Sequence, residues 1–495
     1  MENKHMQNPS TSPDKAGKGS GESLMKKYGF FVAAILFLIL FFMPTPEGLP
    51  KEGQQAIAIF VFALVMWVSC PIPIYLTSLI TIILLSLTNT WAEKKVLGTL
   101  GYEVIWLMVS AFVLTSAMIK SNLARRFALY MVTHFGKTPK KTLFILVFIN
   151  FALAFFVPST TARATLMVPI CIILLEVYKA LPGESNLGRV MMLQGVQADA
   201  LATSGVLTAT AGNIIAVGFI NDLTGSTIGY MDWLLAAMPT AIITMGITFF
   251  IGLRVFSFKG ESTFGEGMTR LRTELSNMGG LSTIELRTLF IFLGTVMLWA
   301  TSDYHKAWFG FSISVYMTAI IAATFCLLPR IGILSWAEAK IKWDLMLFAA
   351  GAYAAGNALE KSKGAEWLIG KVVNTLGMEN MSHTAVYVLV VFISMYSHLI
   401  FTSKTVRVTI LIPSFIALAK TLDMDPVGLA LAAAITTSYT ITLPPHSKVN
   451  AIYFSTGYFS ILDQIKYAMI TCFIGASVIS IALFTWFKVI GLFTG

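Results

Sequence analysis

The chain has 495 residues, of which 56% are hydrophobic and only 12% charged, and its mean hydropathy is +0.75. A soluble domain of this length fills its core with far less apolar surface, so composition excludes a water-soluble globular chain and leaves the bilayer as the solvent. The net charge of +10 arises mostly from Lys and Arg between apolar runs and is no sign of nucleic-acid binding.

Residues 1–27 are rich in Gly, Ser and Pro and carry Lys4, Lys15, Lys18, Lys26 and Lys27. They are expected to form a solvated cytoplasmic tail that feeds directly into a span, without a cleavable signal peptide. Apolar runs of roughly 17 to 25 residues, enough to cross a hydrocarbon core, then recur along the chain. Full spans are predicted at 29–46, 54–70, 73–90, 104–119, 190–218, 231–256, 287–303, 310–328, 344–359, 426–445 and 463–490. Two further stretches, 142–178 and 385–420, are too long for one span, and a polar cluster interrupts each. They read as re-entrant helical hairpins, because irregular backbone survives at membrane depth only against protein or a water-filled cavity. The expected fold is an all-α polytopic membrane protein with about 11 transmembrane helices and two hairpins.

Counted from a cytoplasmic N-terminus, the inside loops carry Arg125, Arg126, Lys137, Lys140 and Lys141, then Arg254, Lys259, Arg270 and Arg272, then Arg330, Lys340 and Lys342. This obeys the positive-inside rule. Lys51, Lys94, Lys95, Lys361 and Lys371 lie on the other side and are offset by Glu52, Glu93, Glu360 and Glu366. Cys70, Cys171, Cys326 and Cys472 show neither metal-type nor paired spacing and are expected to be free, buried thiols.

An internal repeat organises the chain. At a shift of about 241 to 244 residues, Ser121-Asn-Leu-Ala124 falls on Ser362-Lys-Gly-Ala365 and Gly136 on Gly377. In the hairpins, Ser159-Thr160-Thr161-Ala162-Arg163-Ala164-Thr165 and Pro169 fall on Ser403-Lys404-Thr405-Val406-Arg407-Val408-Thr409 and Pro413. A weaker match sets Thr210-Ala-Gly-Asn213 against Ser447-Lys-Val-Asn450, in spans that Gly205 and Gly212, and Pro444-Pro445, are expected to unwind. The topology makes the halves inverted repeats, an arrangement that places a binding site near the membrane midplane.

The chemistry of these breaks favours anions. A serine or threonine ahead of a renewed helix caps free backbone N–H groups, and the helix end carries partial positive charge. Two such ends, with the hydroxyls of Ser159, Thr161, Ser403 and Thr405, are expected to hold the two ends of a dicarboxylate. The plainer reading is that the hydroxyls only cap their own turns. Arg163 and Arg407 sit where a cation is expensive and usually marks a pathway or a partner; snorkelling to an interface is the alternative. Lys404 breaks the repeat's symmetry at Thr160's position, and its ammonium suits a substrate carboxylate or a cavity otherwise taken by a metal cation. His398, His446 and Lys448 add titratable or cationic groups; each histidine alone reads more readily as a structural residue, and Lys448 as reaching the surface.

Enzyme signatures are absent: Gly364 to Lys371 fails the phosphate-loop spacing, and neither a zinc-protease helix nor a Gly-x-Ser-x-Gly elbow occurs. No metal or other cofactor is expected.

The spans, the hairpin tips Ser159-Thr160-Thr161-Ala162-Arg163 and Ser403-Lys404-Thr405, and Asn213 and Asn450 in the broken spans together resemble the divalent anion:sodium symporter family, the INDY-type di- and tricarboxylate transporters. The resemblance runs from about residue 28 to the end and implies that Ser159, Thr160, Thr161, Ser403, Lys404, Thr405, Thr210 and Ser447 bind substrate, supported by Asn213 and Asn450. It also implies a homodimer in which a hairpin-bearing transport domain moves like an elevator against a scaffold. The segments then read as a tail (1–27), scaffold (28–135), first hairpin and transport helices (136–256), a cytoplasmic loop (257–285), second scaffold part (286–378), and second hairpin with transport helices (379–495). The family's tips carry Ser-Asn-Thr; both asparagines are missing here, which weighs against sodium, since an amide carbonyl coordinates a cation and an ammonium does not. The expected function is sodium-independent exchange of 2-oxoglutarate, malate, fumarate or succinate-class anions across the cytoplasmic membrane. The alternatives are a sodium- or proton-coupled symporter of the same anions and, from a different class, a membrane enzyme or sensor.

Overall fold

A computed structural model describes residues 20–136, 138–258, 266–401 and 403–495. Among the described residues the secondary structure is helical throughout, and six helices are long and apolar enough by themselves to cross a membrane. Large apolar side chains such as Phe31, Phe250, Phe290 and Ile481 stand on the outside, which suits hydrocarbon and not water. The protein is a polytopic all-α membrane protein.

The chain follows the order read from its apolar runs. Ser20–Phe42, Lys51–Ser69, Ile74–Leu87 and Glu103–Ser121 come first. The opening helix starts inside the stretch expected to be tail; residues 1–19, with Lys4, Lys15 and Lys18, lie outside the described residues, as do Lys137 and Lys259. Each expected hairpin is two helices with a break between them: Pro139–Phe156 with Thr160–Val177, and His383–Tyr396 with Lys404–Thr421. The spans expected to unwind do so, as Asn186–Gly205 then Ala211–Thr224, and as Pro426–Thr436 then Lys448–Phe454.

The caps explain where these elements start. Thr138 accepts from Lys141 N at 3.3 Å with Pro139 in the first turn, where its missing N–H costs nothing. Asp425 accepts from Val427 N and Gly428 N, ahead of Pro426. Such caps contribute about 1 kcal/mol each. Pro444-Pro445 explains the longer second break, because neither proline can donate to a helix.

The repeat holds in three dimensions. Glu103–Ser121 and Trp343–Lys361 are both 19 residues long, and Leu123–Phe135 and Gly364–Leu376 both 13. At the matching joints Asn122 and Lys363 both take the left-handed conformation, with φ of 59° and 58°. A lysine adopts that conformation only at a cost, so its recurrence reflects shared geometry. The first broken span, Tyr230–Val255, Thr283–Ala300 and Val315–Leu327 lie in the chain between the two 19-residue helices, and four crossings there are what the inverted repeat expected from the sequence requires.

Residues 257–285 are more than a loop. Glu266–Asn277 forms a helix whose Met268 and Leu271 are buried, and Arg125 bonds its Glu274 at 2.5 Å. Arg126 then reaches Glu285 at 2.6 Å and Gly279 O at 2.7 Å. The spacing of Met268, Leu271 and Leu275 carried a helical signal. Cys171, Cys326 and Cys472 are free and buried; Cys70 is free but only half-buried, where burial was expected.

Candidate functional site

The two hairpin tips are built alike. Ser159 has extended backbone, and its Oγ accepts from Ala162 N at 3.3 Å; Ser403 does the same for Val406 N at 3.3 Å. An accepting hydroxyl keeps its own proton, so both serines cap a helix and still have an O–H to donate. The outgoing arms are 18 residues each, with Pro169 and Pro413 inside. Ser159, Thr160, Thr161, Ser403, Lys404 and Thr405 are all half-buried.

The broken spans carry contacts between the two repeats. The outgoing arm of each hairpin packs on the outgoing half of the other repeat's broken span. A Cβ placed on Gly212 would lie 4.0 Å from Lys404 Cβ and 4.0 Å from Thr210 Cγ2, so the second tip rests on the first break. Asn213 Nδ2 donates to Thr203 O at 2.7 Å and Val206 O at 3.0 Å; Asn450 Nδ2 donates to Thr440 O at 2.9 Å and Leu443 O at 2.7 Å. These amides satisfy carbonyls that the unwound backbone releases. Ser438 Oγ donates to Asn213 Oδ1 at 3.2 Å and ties one break to the other. Ser447 caps Lys448–Phe454 by accepting from Asn450 N at 3.1 Å, whereas Thr210 starts Ala211–Thr224 without a side-chain cap.

The cations differ sharply in their surroundings. Arg163 is fully buried, and its Nε donates to Asp199 Oδ1 at 2.9 Å, Nη1 to Val157 O at 3.0 Å and Nη2 to Asp199 O at 3.3 Å and to Thr203 Oγ1. Its charge is balanced within its own repeat. Arg407 is equally buried, but only Nη2 finds partners, Thr437 O and Thr436 O; Nε and Nη1 have none among the described residues. Lys404 makes no hydrogen bond or ion pair among the described residues, and it lies within electrostatic reach of Asp199, Arg407 and Arg163. His398 Nδ1 bonds Met395 O at 2.7 Å and Nε2 meets Thr442, so both ring nitrogens are engaged structurally. His446 is buried with its ring centre 5.6 Å from that of His398, and Lys448 is exposed.

Asp199 is the residue that sequence reasoning missed. It is a lone carboxylate inside an apolar run, and that isolation was a signal, since such a charge needs a cation nearby.

The two repeats thus present two capped helix ends with hydroxyl donors and an ammonium without a partner among the described residues, with the buried Asn213 and Asn450 amides donating to the broken spans. The sequence pattern of the sodium:sulfate symporter transmembrane region matches residues 24–493. The chain belongs to that family.

Members of the family are membrane transporters, so this is a multi-pass transporter and not an enzyme. Within the family the chain is similar to the sodium-dependent dicarboxylate transporter SdcS of Staphylococcus saprophyticus, at 26% identity over 88% of this chain and 86% of that one. It is similar to the putative malate transporter YflS of Bacillus subtilis at 27% identity, over 72% and 73% of the two chains. Among solved structures, the MtrF efflux pump of Neisseria gonorrhoeae matches with a TM-score of 0.57 at 12% identity over 94% of this chain and 95% of that one. The YdaH transporter of Alcanivorax borkumensis matches with a TM-score of 0.55 at 13% identity, over 80% and 87%. These two likenesses concern the fold alone.

Proposed function

We propose that this family member exchanges dicarboxylates of the 2-oxoglutarate, malate, fumarate and succinate class across the cytoplasmic membrane, without sodium. Lys404 is the observation that carries the reading. It is a half-buried ammonium at the second tip, without a partner among the described residues and beside Gly212.

In this reading, Ser159, Thr160 and Thr161 bind one substrate carboxylate, and Ser403, Lys404 and Thr405 the other. Both helix ends contribute partial positive charge. The hairpins and broken spans (136–256 and 379–495) move as the transport domain of an elevator, and 28–135 with 286–378 form the scaffold of a homodimer whose N-termini face the cytoplasm. A fixed ammonium cannot leave as a sodium ion does. An empty site would therefore carry an uncompensated charge through the low-dielectric barrier, at a cost of several kcal/mol. Bound substrate removes that cost, so the carrier crosses loaded in both directions, which is exchange.

The name of the Staphylococcus relative supports a second reading, sodium-coupled symport. Proteoliposomes separate the two. Exchange requires labelled dicarboxylate to enter only vesicles loaded with dicarboxylate, whatever the sodium gradient. Equal uptake into empty vesicles, driven by inward sodium, would establish symport.

A further inference from the structure

Arg163 and Arg407 occupy the same place in the two repeats, four residues beyond each capping serine. Their Nη2 atoms reach equivalent carbonyls of the adjoining broken span, Asp199 O at 3.3 Å and Thr436 O at 3.5 Å. Asp199 and Thr436 are 237 positions apart, as are the Thr203 and Thr440 carbonyls that accept from Asn213 and Asn450, and those two asparagines themselves. Thr436 is therefore the structural counterpart of Asp199. The second repeat has a hydroxyl where the first has a carboxylate.

That exchange removes one negative charge from the core. Thr436 Oγ1 donates to Ala433 O at 2.7 Å and is hydrogen-bonded with Ser394 Oγ at 2.8 Å, so it is used locally and offers Arg407 nothing ionic. The carbonyls of Thr436 and Thr437 solvate Nη2, but dipoles supply no net charge. His398, His446 and Cys472 lie within electrostatic reach of Arg407; the histidines cannot bring a negative charge, and Cys472 is a buried free thiol, which stays neutral in apolar surroundings. Among the described residues of the hairpins and broken spans, the fully buried charged groups are Arg163, Asp199 and Arg407. Lys404 joins them at the tip, within electrostatic reach of all three. Three cations face one carboxylate, which leaves two positive charges without a counter-charge.

We infer that Arg407, unbalanced because Thr436 replaces the repeat's carboxylate, together with Lys404 sets the transported species as a dianion. The inference rests on the exchange reading and adds that charge count, as well as the fit of hydroxyls to carboxylates, selects the substrate. In a water-poor core a charge need not touch the substrate to count toward its binding.

The test compares succinate with succinamate, which keeps the skeleton and loses one charge, in proteoliposomes loaded with unlabelled succinate. Wild type takes up succinate in preference to succinamate. Thr436→Asp restores the missing carboxylate and is expected to shift that preference toward succinamate by about tenfold or more. Arg407→Gln removes the same net charge by another route and shifts it the same way, while Thr436→Asn, uncharged, keeps the wild-type preference. Exchange by both charge variants at the wild-type preference overturns the inference, as does a shift in Thr436→Asn as large as that in Thr436→Asp. Wild type alone gives an independent check should the variants not fold. With the loaded core neutral, the rate of succinate-for-succinate exchange is unchanged across potentials set with valinomycin and potassium, and a rate that follows the potential overturns the charge count. If wild type exchanges no dicarboxylate at all, it is the proposed function that fails.

Discussion

Arg163 donates from Nε to Asp199 Oδ1 at 2.9 Å in the fully buried core of the first repeat, and this pair fixes the first hairpin to the broken span behind it. Two desolvated ions add little net stability over well-packed apolar residues, but removing one strands the other. Asp199→Asn is therefore expected to destabilise the protein by about 3–5 kcal/mol. The double variant Arg163→Met with Asp199→Leu recovers much of that loss. Thermal unfolding of the purified protein in detergent checks both; an Asp199→Asn midpoint equal to wild type would show that the pair does not hold the hairpin.

Ser159→Ala and Ser403→Ala remove a cap and a donor together. Loss of the cap costs about 1 kcal/mol, which leaves the protein folded. Loss of the donor is expected to lower dicarboxylate transport at least tenfold in each variant. Uptake assays with folding checked by size-exclusion chromatography decide the matter, and wild-type uptake in both variants would remove the tips from the site.

Lys404→Asn installs the amide that the family's tip motif carries. Exchange is expected to weaken, and uptake to respond to sodium. Radiolabelled uptake at varied sodium reads both effects at once; unchanged exchange with no cation response means that Lys404 is incidental.

Gly212 offers a steric test of the contact between the second tip and the first break. A methyl group there meets Lys404 Cβ and Val408 Cγ2 at 4.0 Å, an ordinary contact, so Gly212→Ala is expected to transport normally. Gly212→Leu must push Lys404 aside and is expected to abolish transport in folded protein. Equal activity in the two variants would mean that this contact does not position the tip.

Much of this was legible in the sequence. The eleven-residue match between the hairpins carries local information, a capping serine, an arginine one turn on and a proline within the arm, and local rules suffice to turn it into two similar helix starts. The unwinding at Gly205 and at Pro444-Pro445 follows from backbone chemistry in the same way. What could not be read was partnership across distance. Arg163 and Arg407 look alike in sequence, and only the packing of each hairpin on its broken span shows that one faces Asp199 and the other Thr436. The helix Glu266–Asn277 went unread because its few apolar residues lie in a strongly polar segment, and the contact of its Glu274 with Arg125, with Arg126 holding the turn that follows, supplies the rest of its stability.

A structure with a bound dicarboxylate tests the central claim most directly. One carboxylate is expected within hydrogen-bonding distance of Ser159 Oγ and the other within reach of Ser403 Oγ and Lys404 Nζ, in a single cavity between the two tips. A dicarboxylate bound elsewhere, with residues 159–161 and 403–405 facing separate surfaces, would contradict it.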